Sequence, residues 1–233
     1  MKLMYVGHSA MYFEGDVKIL IDPFITGNPW VKDRQYDFSP DYIFLSHGHG
    51  DHLGDAIDFA KRSGATIIAP YELAAWCSWQ DVLTHPMHIG GKFQFPFGWV
   101  KLVNAIHGSG LITKHEIHYM GHPCGFLWET QGKRFYYAGD TALTYDMKLL
   151  KDSSIDYAFL PIGGNFTMDV DDALKAAEMI RPKTVMPVHY NTFEVIEASP
   201  EEFVKKVKDR GMDGLYLKPG EEKEVRLVLE RLY

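Results

Sequence analysis

Apolar positions along the chain alternate between two habits, short continuous runs that read as buried strands and wider spacings that read as helix faces. Residues 2–6 and 17–21 are strand-like around a turn at Glu14-Gly15-Asp16, Lys18-Ile19-Leu20-Ile21 being the third apolar run. Asp22-Pro23 ends it, and residues 25–40, with Trp30 and Tyr36 among Gly, Pro, Asn and Asp, predict a long loop. Tyr42-Ile43-Phe44-Leu45 has the length and the β-branched and aromatic content of a buried strand. From Leu53 the spacing turns helical (Ala56, Ile57, Phe59, Ala60) and stops at Gly64, so one helix is expected over 53–63. Thr66–Ala69 predicts a strand and 71–76 a helix.

The second half repeats the habit. Residues 92–106 predict two strands broken near Pro96-Phe97-Gly98, and 108–125 a polar, Gly-bearing loop. Phe126–Glu129 and Arg134–Tyr137 flank the hairpin signal Gln131-Gly132-Lys133. Tyr157–Ile162, a helix at 170–180 and Thr184–Val188 form a βαβ pattern, with Asp171 and Asp172 placed favourably in the helix's first turn. Residues 199–210 carry full helix punctuation: Ser199 as N-cap, Pro200 first, Glu202 completing a capping box, Gly211 closing. Leu215–Leu217 and Val225–Leu229 are the last expected strands. Hairpins mixed with βα units argue for an α/β or α+β sandwich, read as one domain over residues 1–233.

Composition narrows the function classes. A hydrophobic fraction of 46% is that of an ordinary globular chain, and a net charge of −7 argues against a dominant electrostatic grip on nucleic acid. No apolar stretch approaches a membrane span, and the N-terminus lacks the layout of a signal peptide. Cys77 and Cys124 have no paired spacing, which points to a reducing compartment, so a cytoplasmic location is expected. A homo-oligomer is compatible with all of this.

The chemistry sits after the strand ending at Leu45. Ser46-His47-Gly48-His49-Gly50-Asp51-His52 packs three imidazoles and a carboxylate into a strand-to-helix turn. Glycines there let side chains converge, and convergent neutral imidazoles with a carboxylate make a transition-metal site. His107, Asp140 and His189 recur at later strand ends. A site at the edge of a sheet takes its ligands from such ends, so the recurrence reinforces the reading.

His-x-His-x-Asp-His after an apolar strand resembles the signature of the metallo-β-lactamase superfamily. Val6-Gly7-His8-Ser9-Ala10, Ile21-Asp22-Pro23-Phe24 and Pro187–Phe193 make the chain look like the UlaG-like branch of metal-dependent hydrolases. The resemblance implies a four-layer αβ/βα sandwich and two divalent transition-metal ions (Zn, Mn, Ni or Fe). It puts His47, His49 and His107 on one ion, Asp51, His52 and His189 on the other, and Asp140 between them, with Asp51 also catalytic. Outside that set it implies second-sphere or substrate roles for His8 and Asn191. Asp22 either supports a ligand histidine or only begins the Asp-Pro turn. The loop 108–125 leaves His107 directly, so His118 and His122 are expected to border the pocket and influence substrate preference; His122 stands where the related segment tends to have an amide residue.

The function implied is a hydrolase using a metal-bound hydroxide on a small-molecule substrate: a lactone, an ester or a phosphorylated metabolite. A phosphodiesterase or ribonuclease with the same fold is the alternative, disfavoured by the acidic balance. A non-hydrolytic metal-binding protein ranks below both, because the redox relatives attach a flavin domain.

Overall fold

In the computed structural model, which describes residues 1–31 and 36–225, the first half forms β1 (Lys2–Gly7), β2 (Ala10–Glu14), β3 (Lys18–Ile21) and β4 (Tyr42–Phe44). Next come α1 (Gly50–Leu53), α2 (Ala56–Ser63), β5 (Thr66–Pro70), α3 (Tyr71–Ser78) and β6 (Leu83–Met87). The second half opens with β7 (Lys92–Phe95), β8 (Gly98–Asn104), the small pair β9 (Gly110–Ile112) and β10 (Ile117–Tyr119), β11 (Cys124–Thr130) and β12 (Lys133–Tyr137). A 3₁₀ stretch at Tyr145–Ser153 leads to β13 (Tyr157–Pro161), α4 (Val170–Ile180), β14 (Thr184–Val188), α5 (Pro200–Lys208), β15 (Asp213–Gly214) and β16 (Glu222–Glu224).

Two large sheets result, ordered β16-β1-β2-β3-β4-β5-β6 and β15-β14-β13-β12-β11-β8-β7. Each is part antiparallel and part parallel: β3 to β6 run parallel in one, β12 to β15 in the other. The period-2 geometry of a strand explains the layers. Ile19 and Ile21 join the core between the sheets while Leu20 faces the helices, and Phe44 and Ile68 divide from Ile43 and Ile67 in the same way. Phe13 and Phe44 of the first sheet meet Trp128 of the second edge-on at 5.5 and 5.7 Å, locking the two face to face. Phe59, Ala60, Leu73 and Ala74 cover the outer face of one sheet; Ala173, Ala177, Ile180 and Phe203 pack on the other. The four-layer α/β sandwich is thus present.

Most elements fall where the patterning puts them, and α4 and β14 have the expected bounds. Four expectations are corrected. The helix expected over 53–63 is two pieces, because Gly54 adopts φ 44°, ψ −128° and the Asp55 carboxylate accepts hydrogen bonds from the backbone of Ile25 and Thr26 and from the Thr26 hydroxyl. That tie holds the start of the 25–40 loop against the helix, a contact that periodicity cannot report. Residues 108–125 contain a hairpin, β9 paired with β10, instead of a plain loop. β6 was not expected from its Thr-His-Pro centre; as a parallel edge strand on β5 it tolerates Pro86. Finally Leu215–Leu217 is not a strand, the short β15 lying just before it. Of the strand expected at Val225–Leu229, residues 226–229 lie outside the described residues.

Gly54 is the residue this break depends on. A Cβ there would lie 2.3 Å from the carbonyl oxygen of Pro23. Gly54→Ala is expected to destabilise the protein by roughly 2–3 kcal/mol, through positive-φ strain and that clash. Urea unfolding measures it, and a change below about 0.5 kcal/mol, the scale of a neutral surface substitution, would contradict the account.

Candidate metal centre

The strand ends of both sheets converge on the seam between them. His47 and His49 follow β4, with Asp51 and His52 on α1; His8 sits in the β1–β2 turn and Asp22 ends β3. From the other sheet, His107 follows β8, Asp140 follows β12 and His189 follows β14. The turn 46–49 is held from behind: Gly48 N–H donates to Ser109 Oγ at 3.1 Å and Cys124 N–H to the Ser46 carbonyl at 3.0 Å. Met120 presses so close that a Cβ on Gly48 would approach its side chain to 2.5 Å, which is why glycine separates the two histidines.

The side chains fall into two groups, linked through His47 and His52, whose ligand-capable atoms also lie within 4.8 Å of that of Asp22. Ligand-capable atoms of His47, His49 and His107 lie within 4.8 Å of one another, and so do those of His8, Asp51, His52 and His189. Asp140 stands between the groups. Its Oδ2 is 3.5 Å from His107 Nε2, 3.3 Å from His52 Nε2 and 3.0 Å from His189 Nε2.

Asp22 is fully buried and accepts from Ser46 N–H at 2.8 Å, from the Ser46 hydroxyl, from Tyr137 O–H at 2.6 Å and from His52 Nδ1–H at 2.7 Å. Of the two roles open to Asp22 in the sequence, the structure gives it that of a histidine partner. With Nδ1 as the donor, His52 turns Nε2 into the centre, the arrangement that outer carboxylates impose on metal-binding imidazoles.

Charge in the seam is tightly balanced. Burial pushes His47, His49 and His107 below the ordinary histidine range, and burial with the neighbouring His189 lowers His8 to about 4. Burial opposes charge on His52 as well, yet Asp140, Asp22 and Asp51 outweigh it and hold its imidazolium well above the usual range. For Asp140 and Asp51 burial raises the carboxyl, but His189 and His52 beside the first, and His52 and His8 beside the second, pull both well below the carboxylate range.

The donor set fits divalent metal. Neutral imidazoles and ionised carboxylates are the ligating forms. Three buried polar atoms of the centre, His52 Nε2, His189 Nδ1 and Asp140 Oδ1, have no hydrogen-bond partner among the described residues, the condition expected of atoms reserved for a ligand.

All seven residues expected as ligands are in this centre, and His8 joins them. His118 and His122 are outside the donor groups: His118 is on β10, 3.4 Å from Glu116, and His122 is exposed. Asn191 uses its side-chain oxygen to accept from Ala198 N–H at 2.7 Å, closing its own loop. The sequence reading passed over Ser46, Tyr137, Ser109 and Thr192. Ser46 adjoins the histidine turn and could have been flagged; the others are recognisable only once the sheets are packed.

A match to the β-lactamase superfamily domain covers residues 17–190. A UPF0173 metal-dependent hydrolase of Geobacillus sp. is 54% identical over 224 residues, spanning 95% of this chain and 98% of that one. One of Carboxydothermus hydrogenoformans is 51% identical over 223 residues with the same coverage. Among solved structures, the metallo hydrolase Igni18 of Ignicoccus hospitalis superposes with a TM-score of 0.86 at 36% identity, over 97% of this chain and 99% of that one.

Asp22→Ala strips the buried Ser46, Tyr137 and His52 donors of their shared acceptor. The expected loss is about 3–5 kcal/mol of stability, as for a broken buried ion pair. Urea unfolding in the presence of a chelator reads this without any contribution from metal, and a loss under about 1 kcal/mol would fall in the range of an exposed pair.

Proposed function

The chain belongs to the β-lactamase superfamily, among the UPF0173 metal-dependent hydrolases, and on that premise we propose that it hydrolyses a small ester, lactone or phosphorylated metabolite at a centre of two divalent ions. The observation that carries the proposal is Asp140 Oδ2, within 3.5 Å of imidazoles from both histidine groups. One carboxylate facing two donor sets is what a pair of ions would share. His47, His49 and His107 would hold one ion; Asp51, His52 and His189 the other. Bound there, divalent cations lower the pKa of water and polarise a carbonyl or phosphoryl oxygen.

The chain's own residues do the rest. Asp22 fixes the tautomer and direction of His52. Asp51, 29% exposed, is the most open carboxylate of the set and accepts one hydrogen bond among the described residues, so its remaining lone pairs can orient an attacking water. Phe24 and Phe193 stand edge-on to His8, each ring 5.6 Å away, and Phe193 is 40% exposed. Ile106, next to His107, is exposed too. Among the described residues no lysine or arginine pairs with a member of the centre. These exposed apolar side chains, with no such pair beside them, favour an ester or lactone over a phosphorylated metabolite or a nucleic acid. The base of the β9–β10 hairpin packs on the histidine turn, which supports a role for His118 or His122 at the pocket's edge.

Elemental analysis after reconstitution with zinc or manganese is expected to give about two ions per chain, as the two donor groups require. No bound metal would end the proposal. His49→Ala and Asp140→Ala are each expected to lower kcat/KM by at least about 100-fold. The panel to use sets aryl and alkyl esters and lactones against bis-p-nitrophenyl phosphate. A clear preference for the phosphodiester would replace the ester and lactone reading with the phosphodiesterase one.

A further inference from the structure

Asp51 is thinly supported within the centre. It stands on a helix of a single turn, and among the described residues its carboxylate has one hydrogen-bond partner, His8 Nε2 at 3.0 Å. His8 is in turn held at Nδ1 by Thr192 Oγ1, at 2.9 Å and 184 positions away in the chain. We infer that the Thr192 hydroxyl, acting through the His8 imidazole, positions the Asp51 carboxylate for its ion. The inference rests on the two-ion reading above and concerns the half of the centre built by Asp51, His52 and His189.

Proton counting fixes the direction of the chain. An ionised carboxylate only accepts, so His8 Nε2 must carry the hydrogen that reaches Asp51. In a neutral imidazole Nδ1 is then a bare acceptor, and the group facing it must donate. The Thr192 hydroxyl has one proton, and its other neighbour, the Tyr190 carbonyl, is 3.3 Å away. The proton belongs on the shorter contact, to His8. Thr192 therefore selects the His8 tautomer, and His8 delivers its N–H to Asp51.

The rest of the fold keeps His8 in place for this task. Its carbonyl accepts from Tyr5 O–H at 2.9 Å and from His189 N–H at 2.8 Å, and its ring lies 4.1 Å from that of His189. His8 adopts φ 59°, a conformation that costs energy for a residue other than glycine and persists where the surroundings impose it. Thr192 is buried in a loop closed by Asn191 N–H to the Ile196 carbonyl at 2.9 Å and by the Asn191–Ala198 bond. Thr192 and His8 come from opposite sheets, so the relay also ties the two halves of the sandwich together at the ligand.

Metal affinity tests this without reference to turnover. Chelator-competition titration with zinc is run on the full chain, the Thr192→Val, Thr192→Ser and His8→Asn variants, and the Thr192→Val/His8→Asn double variant. Asparagine is chosen at position 8 because it tolerates positive φ. Thr192→Val is expected to weaken one of the two ions by about 10–100-fold and leave the other unchanged. Thr192→Ser, which keeps the hydroxyl, should restore affinity to within about threefold, and the double variant should be no weaker than His8→Asn alone, since both act on one chain of contacts. Wild-type affinity for both ions in Thr192→Val, failure of the serine to restore, or additive losses in the double variant would each overturn the relay while leaving the two-ion centre standing. A wild-type chain that binds fewer than two ions would overturn the two-ion reading itself, and the relay with it.

Discussion

Burying two carboxylates beside a cluster of imidazoles is the constraint around which this fold is arranged. Asp22 and Asp140 are buried in the seam between the sheets, where an uncompensated charge would be prohibitively costly. Asp22 is neutralised by direction: four donors point at it, from Ser46, His52 and Tyr137. Asp140 is neutralised by proximity, with the Nε2 atoms of three imidazoles within 3.5 Å of one oxygen. Its other oxygen has no hydrogen-bond partner among the described residues. The first carboxylate is a structural acceptor already satisfied; the second is satisfied on one oxygen only.

The sandwich makes that seam by bringing strand ends of both sheets to one place. Turning side chains inward at those ends carries a local cost. His8, Asp22, His189 and Asn191 all have φ between 38° and 59°, a region that non-glycine residues rarely adopt. Strain of this kind survives where several contacts over-determine it, and among the described residues four of the nine non-glycine positions with positive φ belong to the centre and the loop behind it. The His189 N–H to His8 carbonyl bond joins two of these strained residues across the sheets. The stability of the aromatic core, with Phe13, Phe44 and Trp128 interlocked, is what allows the edge to hold such a geometry.

Access to the centre follows from the same layout. The base of the small hairpin, at Ser109 and Met120, lies against Gly48, and Gly108 lies against His49. Ile112, Ile117 and Tyr119 of that hairpin are exposed, as are Ile106 and Phe193 nearer the ligands. Clusters of exposed apolar side chains around a polar site are more informative than scattered ones, since they mark a surface that some ligand covers.

The amino-acid sequence by itself determined the strand and helix alternation, because burial on one face leaves a period of 2 or 3.6 in the chain. That is why α4, β14 and the capped α5 are legible residue by residue. It also marked His47, His49, Asp51, His52, His107, Asp140 and His189 as candidates, since they follow strand patterns and strand ends of a sandwich share an edge. Tertiary structure alone decided the supporting contacts. Asp22 could have been a turn residue until the sheets brought Tyr137 and His52 to it, and Thr192, inside the Pro187–Phe193 stretch, had no assigned role until folding set it against His8. The break at Gly54 and the edge strand β6 were hidden for the same reason. Each depends on a contact with a distant segment, and periodicity records only how deeply a residue is buried, never which partner it meets there.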